Sequence, residues 1–107
     1  MHYKHKIIMH KTKYFTSYHS SNKAEFVIDF GNKKVNFTFC ELLLLRKKTN
    51  ILTSHNSIEH IVNNRNVEIL TIKNNSHIFV MDIPQLLDLR LLIDSMFQCT
   101  AAEPEAI

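Results

Sequence analysis

Residues 25–45 read EFVIDFGNKKVNFTFCELLLL, and the hydrophobic pattern of this stretch decides the fold. Large apolar residues occupy every second position over 26–30 and again over 35–39, which is the period of a half-buried β-strand. Gly31 and Asn32 lie between these two segments and are typical turn residues. The stretch therefore predicts a β-hairpin.

A helix start follows the second strand directly. Thr38 and Glu41 match the capping box, in which the hydroxyl accepts a hydrogen bond from a free backbone N–H and the carboxylate reaches back to the capping residue. The helix continues through Leu42–Lys48, with cations at its end, where the helix dipole favours positive charge. Hairpin and helix together form one strand–strand–helix (ββα) unit.

The same pattern returns 44 residues later, where residues 69–89 read ILTIKNNSHIFVMDIPQLLDL. Two apolar segments flank a polar turn, and Asp82 with Gln85 repeats the capping spacing. Pro84 lies in the first helical turn, where its missing N–H costs nothing. This similarity predicts two copies of a ββα unit, at 24–49 and 67–98, although two common hairpin–helix units could also match by coincidence.

Two hairpins and two helices predict an α+β fold. The tandem ββα repeat would form a four-stranded antiparallel sheet with both helices on one face. The domain boundaries follow as a basic N-terminal arm at 1–22, a single domain at 23–98 and a C-terminal tail at 99–107. The arm is either flexible or contains a first strand around Ile7–Met9, and a short helix around 57–62 is expected between the copies.

The second helix carries apolar residues on two sides. At 100° per residue, its core face consists of Leu86, Leu89, Leu92, Ile93, Met96 and Phe97. Leu87 and Leu91 lie on the opposite side, and Leu43 is their counterpart in the first copy. Such a strip is covered either by another segment of the chain or by another molecule. The second alternative predicts a homodimer that associates through Leu43, Leu87 and Leu91.

Positive charge is concentrated at the N-terminus. Residues 1–23 contain five lysines and no acid, whereas residues 24–107 contain eight Lys and Arg against ten Asp and Glu. A basic segment with interspersed aromatic residues is typical of single-stranded nucleic-acid binding. The candidate contact residues for this alternative are Lys4, Lys6, Lys11, Lys13, Tyr14 and Tyr18.

The sequence contains no clear motif for catalysis, metal binding or cofactor binding. A single glycine cannot build a phosphate-binding loop, and His55 and His60 are five residues apart rather than the four of a metalloprotease helix. Cys40 falls in the first helical turn and is expected to be a half-buried structural residue, the alternative being a nucleophile. We therefore expect no enzyme activity, no cofactor and no metal.

The cysteines and the lengths of the apolar segments indicate the cellular location of the protein. The chain has two cysteines, no Cys-x-x-Cys pair, and an N-terminal apolar run that is too short for a secretory signal. Its longest uninterrupted run of aliphatic residues, Leu42–Leu45, cannot span a membrane. These features predict a cytoplasmic protein without a membrane partner.

The chain also resembles a family of short uncharacterised Bacteroidota proteins over about residues 18–98. The resemblance rests on 25–32 and the helix 41–45, and on the later segments 65–71 and 85–89. The most specific element is the run Phe30-Gly-Asn32 after a strand. The family is a domain of unknown function and implies no activity. Its members often carry a Cys pair before the first strand, where this chain has no cysteine.

Together these features predict a small non-enzymatic interaction or regulatory module that self-associates as a homo-oligomer. A nucleic-acid-binding protein that uses the basic aromatic arm is the alternative. Loss of oligonucleotide binding on deletion of residues 1–22 would favour the alternative.

Overall fold

The structure is a computed structural model that describes residues 7–20, 25–64, 66–74 and 76–102. Its first part is an antiparallel sheet of four strands in chain order: β1 (Ile7–Lys11), β2 (Thr16–Ser20), β3 (Glu25–Asp29) and β4 (Lys34–Thr38). Helices α1 (Phe39–Leu52) and α2 (His55–Asn63) follow. The hairpin of β5 (Val67–Ile72) and β6 (His77–Asp82) leads into α3 (Ile83–Ala102).

The α+β class and the four-stranded antiparallel sheet are confirmed, but the sheet contains different strands from those expected. Its first two strands come from residues 7–20, within the segment assigned to the arm. The hairpin of β5 and β6 forms a separate two-stranded sheet instead of joining β3 and β4. Short connections place β1 to β4 side by side, and strands adjacent in sequence usually pair. Of the two alternatives for the arm, the strand is the one observed around Ile7–Met9.

The register of the sheet determines which residues face the core. Phe26 on β3 pairs with Phe37 on β4 and with His19 on β2. In the neighbouring row, Ser17 pairs with Ile28. Cross-strand partners point to the same face of a sheet. Because Phe26, Phe37 and Ile28 are buried, the polar side chains of Ser17 and His19 also point inward.

The helices complete the core. Helix α1 packs against β3 and β4, and α3 packs against β1, β2, β6 and α1. The core face expected for α3 is confirmed, with five buried residues and a half-buried Phe97: Leu86, Leu89, Leu92, Ile93 and Met96. The helix continues to Ala102, into the segment predicted as a tail, and residues 103–107 lie outside the described part.

Both predicted capping boxes are present at the junctions between strand and helix. The Thr38 hydroxyl accepts a hydrogen bond from the Glu41 N–H at 3.2 Å, and the Glu41 carboxylate accepts from the Thr38 N–H at 2.9 Å. Asp82 and Gln85 exchange the equivalent bonds at 2.9 and 3.0 Å. In each box, one hydrogen bond satisfies the N–H of the last strand residue and the other satisfies a free N–H in the first turn of the helix. The strand can therefore pass directly into the helix.

Acid is expected to weaken the first box through its Glu41 carboxylate. The hydrogen bond from the Thr38 N–H holds the pKa of Glu41 below its ordinary value, and Lys73 acts in the same direction. A lowered pKa in the folded state stabilises the protein above the unfolded pKa, and this contribution is lost as pH falls through the folded pKa. Wild-type protein should therefore lose stability when the pH is lowered from 7 into the acid range, and Glu41→Gln should lose less. Urea unfolding at the two pH values measures the free energy of unfolding of each protein.

Gln85 provides the matched control, because it holds the equivalent position and does not titrate. Gln85→Ala should lower stability equally at both pH values. An acid-induced loss of the same size in wild type and Glu41→Gln would contradict this role of the Glu41 carboxylate.

The connection between the two hairpin–helix units contains the expected short helix. It begins two residues earlier than expected, because the Ser54 hydroxyl caps it by accepting a hydrogen bond from the Ser57 N–H at 3.3 Å. Ile61 is its buried residue. Within the described ranges, no helix is long and apolar enough to cross a membrane.

Candidate functional site

Helices α1 and α3 lie side by side and run antiparallel. The rings of Phe39 and Phe97 are 5.7 Å apart between centroids, at the start of α1 and near the end of α3. Further along α1, Arg46 Nε is 3.9 Å from Asp94 Oδ1. Beyond the end of α1, Arg90 Nη1 donates to the Thr53 hydroxyl at 3.3 Å. Positions later in α1 therefore meet positions earlier in α3.

The three leucines predicted for self-association are exposed on this helix pair. Leu43 is 42% exposed, Leu87 is 45% exposed and Leu91 is 58% exposed. Leu43 lies one helical turn before Arg46, and Leu91 lies one turn before Asp94. The leucines thus flank the contact between these two charged residues. We call Leu43, Leu87, Leu91, Arg46 and Asp94 the α1/α3 surface.

The charges of the α1/α3 surface are balanced but loosely paired. The Asp94 carboxylate lies 3.9 Å from Arg46 Nε and 3.9 Å from Arg90 Nε, which is too long for a hydrogen bond. The Arg46 guanidinium lies over the Phe97 ring, 4.7 Å from its centroid. Arg46 Nε is buried and makes no hydrogen bond in the described part of the chain. Arginine and aromatic residues such as Arg46 and Phe97 are enriched at protein–protein interfaces.

The residues predicted to contact nucleic acid fall in two places. Lys11 is exposed at the end of β1, on the same outer face of the sheet as the half-buried Tyr18. Lys13 and Tyr14 lie in the turn between β1 and β2, with Lys13 Nζ 5.3 Å from the Tyr14 ring centroid. Lys4 and Lys6 lie outside the described residues. The described candidates thus form no single row of lysines and aromatic rings.

One acidic residue of α3 holds the β1–β2 turn in place. Asp88 Oδ2 accepts hydrogen bonds from the Thr12 hydroxyl at 2.6 Å and from the Tyr14 N–H at 2.9 Å. The Lys13 N–H lies 3.4 Å from Asp88 Oδ1. This carboxylate therefore places negative charge beside the backbone of Lys13. No local sequence pattern signals this contact, because it joins residues more than 70 positions apart in the chain.

Residues considered for metal binding or nucleophilic chemistry do not converge. Among the described residues, no group of three or more His, Cys, Asp or Glu side chains could hold a metal ion. Cys40 was predicted to be half-buried, and this was wrong, because it is exposed on the outer side of the first turn of α1. Ser17 faces His10 across the strands, but Ser17 is fully buried and its hydroxyl makes no hydrogen bond in the described structure.

A groove that sequence reasoning missed lies between α1 and the β5–β6 turn. It has a volume of about 750 Å³, within the range of ligand sites. Polar contacts of two lysines connect its walls. Lys48 Nζ donates to the Thr71 carbonyl at 2.6 Å and to the Thr71 hydroxyl at 3.1 Å, and Lys73 Nζ is 3.6 Å from Glu41 Oε1. The groove combines residues of β4, α1 and the second hairpin, which only the folded chain brings together. We call it the α1/β5 groove.

Comparisons with known proteins identify no family for this chain. No family model matches it, and no curated protein and no solved structure is similar to it. The resemblance to the Bacteroidota family of unknown function therefore stays a prediction. Function must be inferred from the surfaces just described.

Proposed function

We propose that this protein is a self-associating interaction module whose copies pack together through the α1/α3 surface. The observation that carries the proposal is the exposure of Leu43, Leu87 and Leu91 on adjacent outward sides of two packed helices. A helix that is apolar on both sides is normally buried on both sides. A second copy would cover the sides that the chain's own core leaves open.

A two-fold arrangement suits the composition of the surface. It would place α1 of one copy over α3 of the other, so that the same patch is used twice. Arg46 and Asp94 supply both signs of charge, and their 3.9 Å separation leaves each able to pair with the other copy. Fully burying an exposed leucine side chain contributes about 1.5–3 kcal/mol, and roughly half of this remains to be gained at each of the three half-exposed leucines of each copy. This gain would offset the entropy lost on association.

We also infer that the two hairpin–helix units are a structural repeat with both helices on one face of the four-stranded sheet. Each unit has a hairpin, a capping box at the strand–helix junction and a helix that contacts the other helix. Contacts of α1 with β3 and β4, and of α3 with β1 and β2, support a single helical layer. Such a layer would present the α1/α3 surface as one continuous patch.

The self-association proposal is favoured over nucleic-acid binding for a physical reason. Lys11 and Tyr18 lie on the outer face of the sheet, whereas Lys13 and Tyr14 lie in the β1–β2 turn beside the Asp88 carboxylate. A phosphate backbone is attracted by cations and repelled by such a carboxylate. Salt-sensitive binding of single-stranded oligonucleotides that is lost in a Lys11→Glu, Lys13→Glu variant would instead favour the alternative.

Acidic substitutions on the α1/α3 surface should produce monomers. In Leu87→Glu, Leu91→Glu, the like charges of two copies would face each other in an apolar interface. We expect the dissociation constant to rise about 100-fold or more, since every 1.4 kcal/mol changes it tenfold. Native mass spectrometry and sedimentation equilibrium over a concentration series measure the change.

The matched control is Ile78→Glu, Val80→Glu on the outer side of β6. These residues are 58% and 63% exposed, so the control changes charge and apolar area to a similar extent on another surface. It should leave the dimer intact. A wild-type protein that stays monomeric at high concentration, or equal effects of the two double variants, would reject the proposal.

A further inference from the structure

The α1/β5 groove has an apolar floor and apolar rims. Phe37, Leu45 and Ile72 are buried beneath it. Leu44 and Ile51 border it and are 68% and 58% exposed. They are seven residues apart in α1, which places them two turns apart on the same side of the helix. The groove therefore offers a continuous apolar strip to a partner.

The charges around the strip are nearly all positive. Lys47, Lys48 and Lys73 line the groove, and Glu41 is its acidic residue among the described lining residues. The Glu41 carboxylate is already engaged, because it accepts from the Thr38 N–H and lies 3.6 Å from Lys73 Nζ. An approaching molecule would therefore meet apolar side chains beside Lys47 and Lys48, for which the described lining offers no further carboxylate.

We propose that the α1/β5 groove binds an acidic amphipathic helix of a partner protein. A helix is about 10–12 Å wide with its side chains, and it buries apolar residues spaced i, i+3 or i+4 and i+7 in a groove of this kind. Its leucines would contact Leu44 and Ile51. Acidic residues on its flanks would pair with Lys47 on one side and with Lys48 and Lys73 on the other.

The charge pattern and the shape together select this partner. Two copies of this chain docked through the groove would bring Lys47 and Lys48 of both copies together, and like charges repel. A bilayer surface is flat, whereas these apolar residues line a concavity between α1 and the β5–β6 turn. The groove also differs from the α1/α3 surface, because its second wall is the β5–β6 hairpin rather than α3.

A pair of synthetic peptides provides the test. Each is an amphipathic helix of about five turns with leucines at the i, i+3, i+7 spacing. One peptide carries glutamates on its flanks and the other carries lysines at the same positions. Fluorescence anisotropy with the full-length protein should show binding of the acidic peptide, weakening as salt rises because exposed charge pairs are screened. The basic peptide should not bind.

Variants then locate the binding. Leu44→Glu should weaken the acidic peptide about tenfold or more, as expected for a central apolar contact. Lys47→Glu, Lys48→Glu should reverse the preference, so that the basic peptide binds better. Leu87→Glu, Leu91→Glu should leave peptide affinity unchanged, which separates this proposal from self-association.

Three results would overturn the proposal. One is equal binding of the acidic and basic peptides by the wild-type protein. Another is an acidic-peptide affinity that Leu44→Glu does not change, with circular dichroism showing that the variant is folded. The third is binding of phosphatidylglycerol vesicles without binding of either peptide, which would assign the surface to a membrane.

Discussion

Replacing Phe37 by alanine is expected to destabilise the protein by about 3–5 kcal/mol, the usual cost of removing a buried aromatic ring. Phe37 is 1% exposed, pairs with Phe26 across the sheet and lies beneath the α1/β5 groove. Its ring also lies 5.7 Å from Lys73 Nζ. Truncation would leave a cavity where the sheet, α1 and the second hairpin meet. Urea unfolding followed by circular dichroism measures the loss.

The control for this prediction is Ile78→Ala, an apolar truncation on the outer side of β6. Ile78 is 58% exposed, and truncation of such a residue usually changes stability by about 0.5 kcal/mol or less. If Phe37→Ala costs no more than Ile78→Ala, the packing of β4 against α1 is not what stabilises this fold.

Local patterns in the sequence were sufficient to predict the β3–β4 and β5–β6 hairpins and the helices. Apolar residues at every second position identify β3 and β4. The spacing of Thr38 and Glu41 predicts the first residue of α1 to within one position. The helical period also separates the buried Leu89 from the exposed Leu91 in α3. These signals are local because each is produced by the geometry of a single element.

The composition of the sheet was not predictable in the same way. The inward positions of β1 and β2 include His10, Ser17 and His19, which read as solvent-exposed residues in a basic segment. His19 instead packs against an aromatic residue, with 4.9 Å between the centroids of its ring and that of Phe26. Strand pairing depends on which segments meet in space, and polar inward residues conceal the alternation that would reveal it.

The two candidate surfaces also differ in whether the sequence could reveal them. Leu43, Leu87 and Leu91 were found from the sequence, because an apolar residue on the polar side of a helix is visible on a helical wheel. The α1/β5 groove was not found, since its cations come from separate elements. Lys48 and Lys73 are brought together when Lys48 binds the Thr71 carbonyl. A groove of this kind is a property of tertiary contacts and has no spacing rule.

Replacing Asp88 by alanine is expected to cost about 2–3 kcal/mol, because hydrogen bonds to a charged group contribute more than neutral ones. The variant loses the bonds to the Thr12 hydroxyl and the Tyr14 N–H and leaves that N–H without a partner. The β1–β2 turn would separate from α3 before the rest of the domain unfolds. Hydrogen exchange should therefore accelerate most in β1 and β2, and urea unfolding gives the total loss.

Asp94→Ala is the matched control, because Asp94 lies two turns further along α3. Its contacts to Arg46 and Arg90 are 3.9 Å long and partly exposed, and such pairs contribute about 0–1 kcal/mol. Equal losses in the two variants, or unchanged exchange in β1 and β2 of Asp88→Ala, would show that the carboxylate does not hold the turn. A larger and local effect of Asp88→Ala would mean that one residue of α3 fixes the edge of the sheet that the basic N-terminal segment forms.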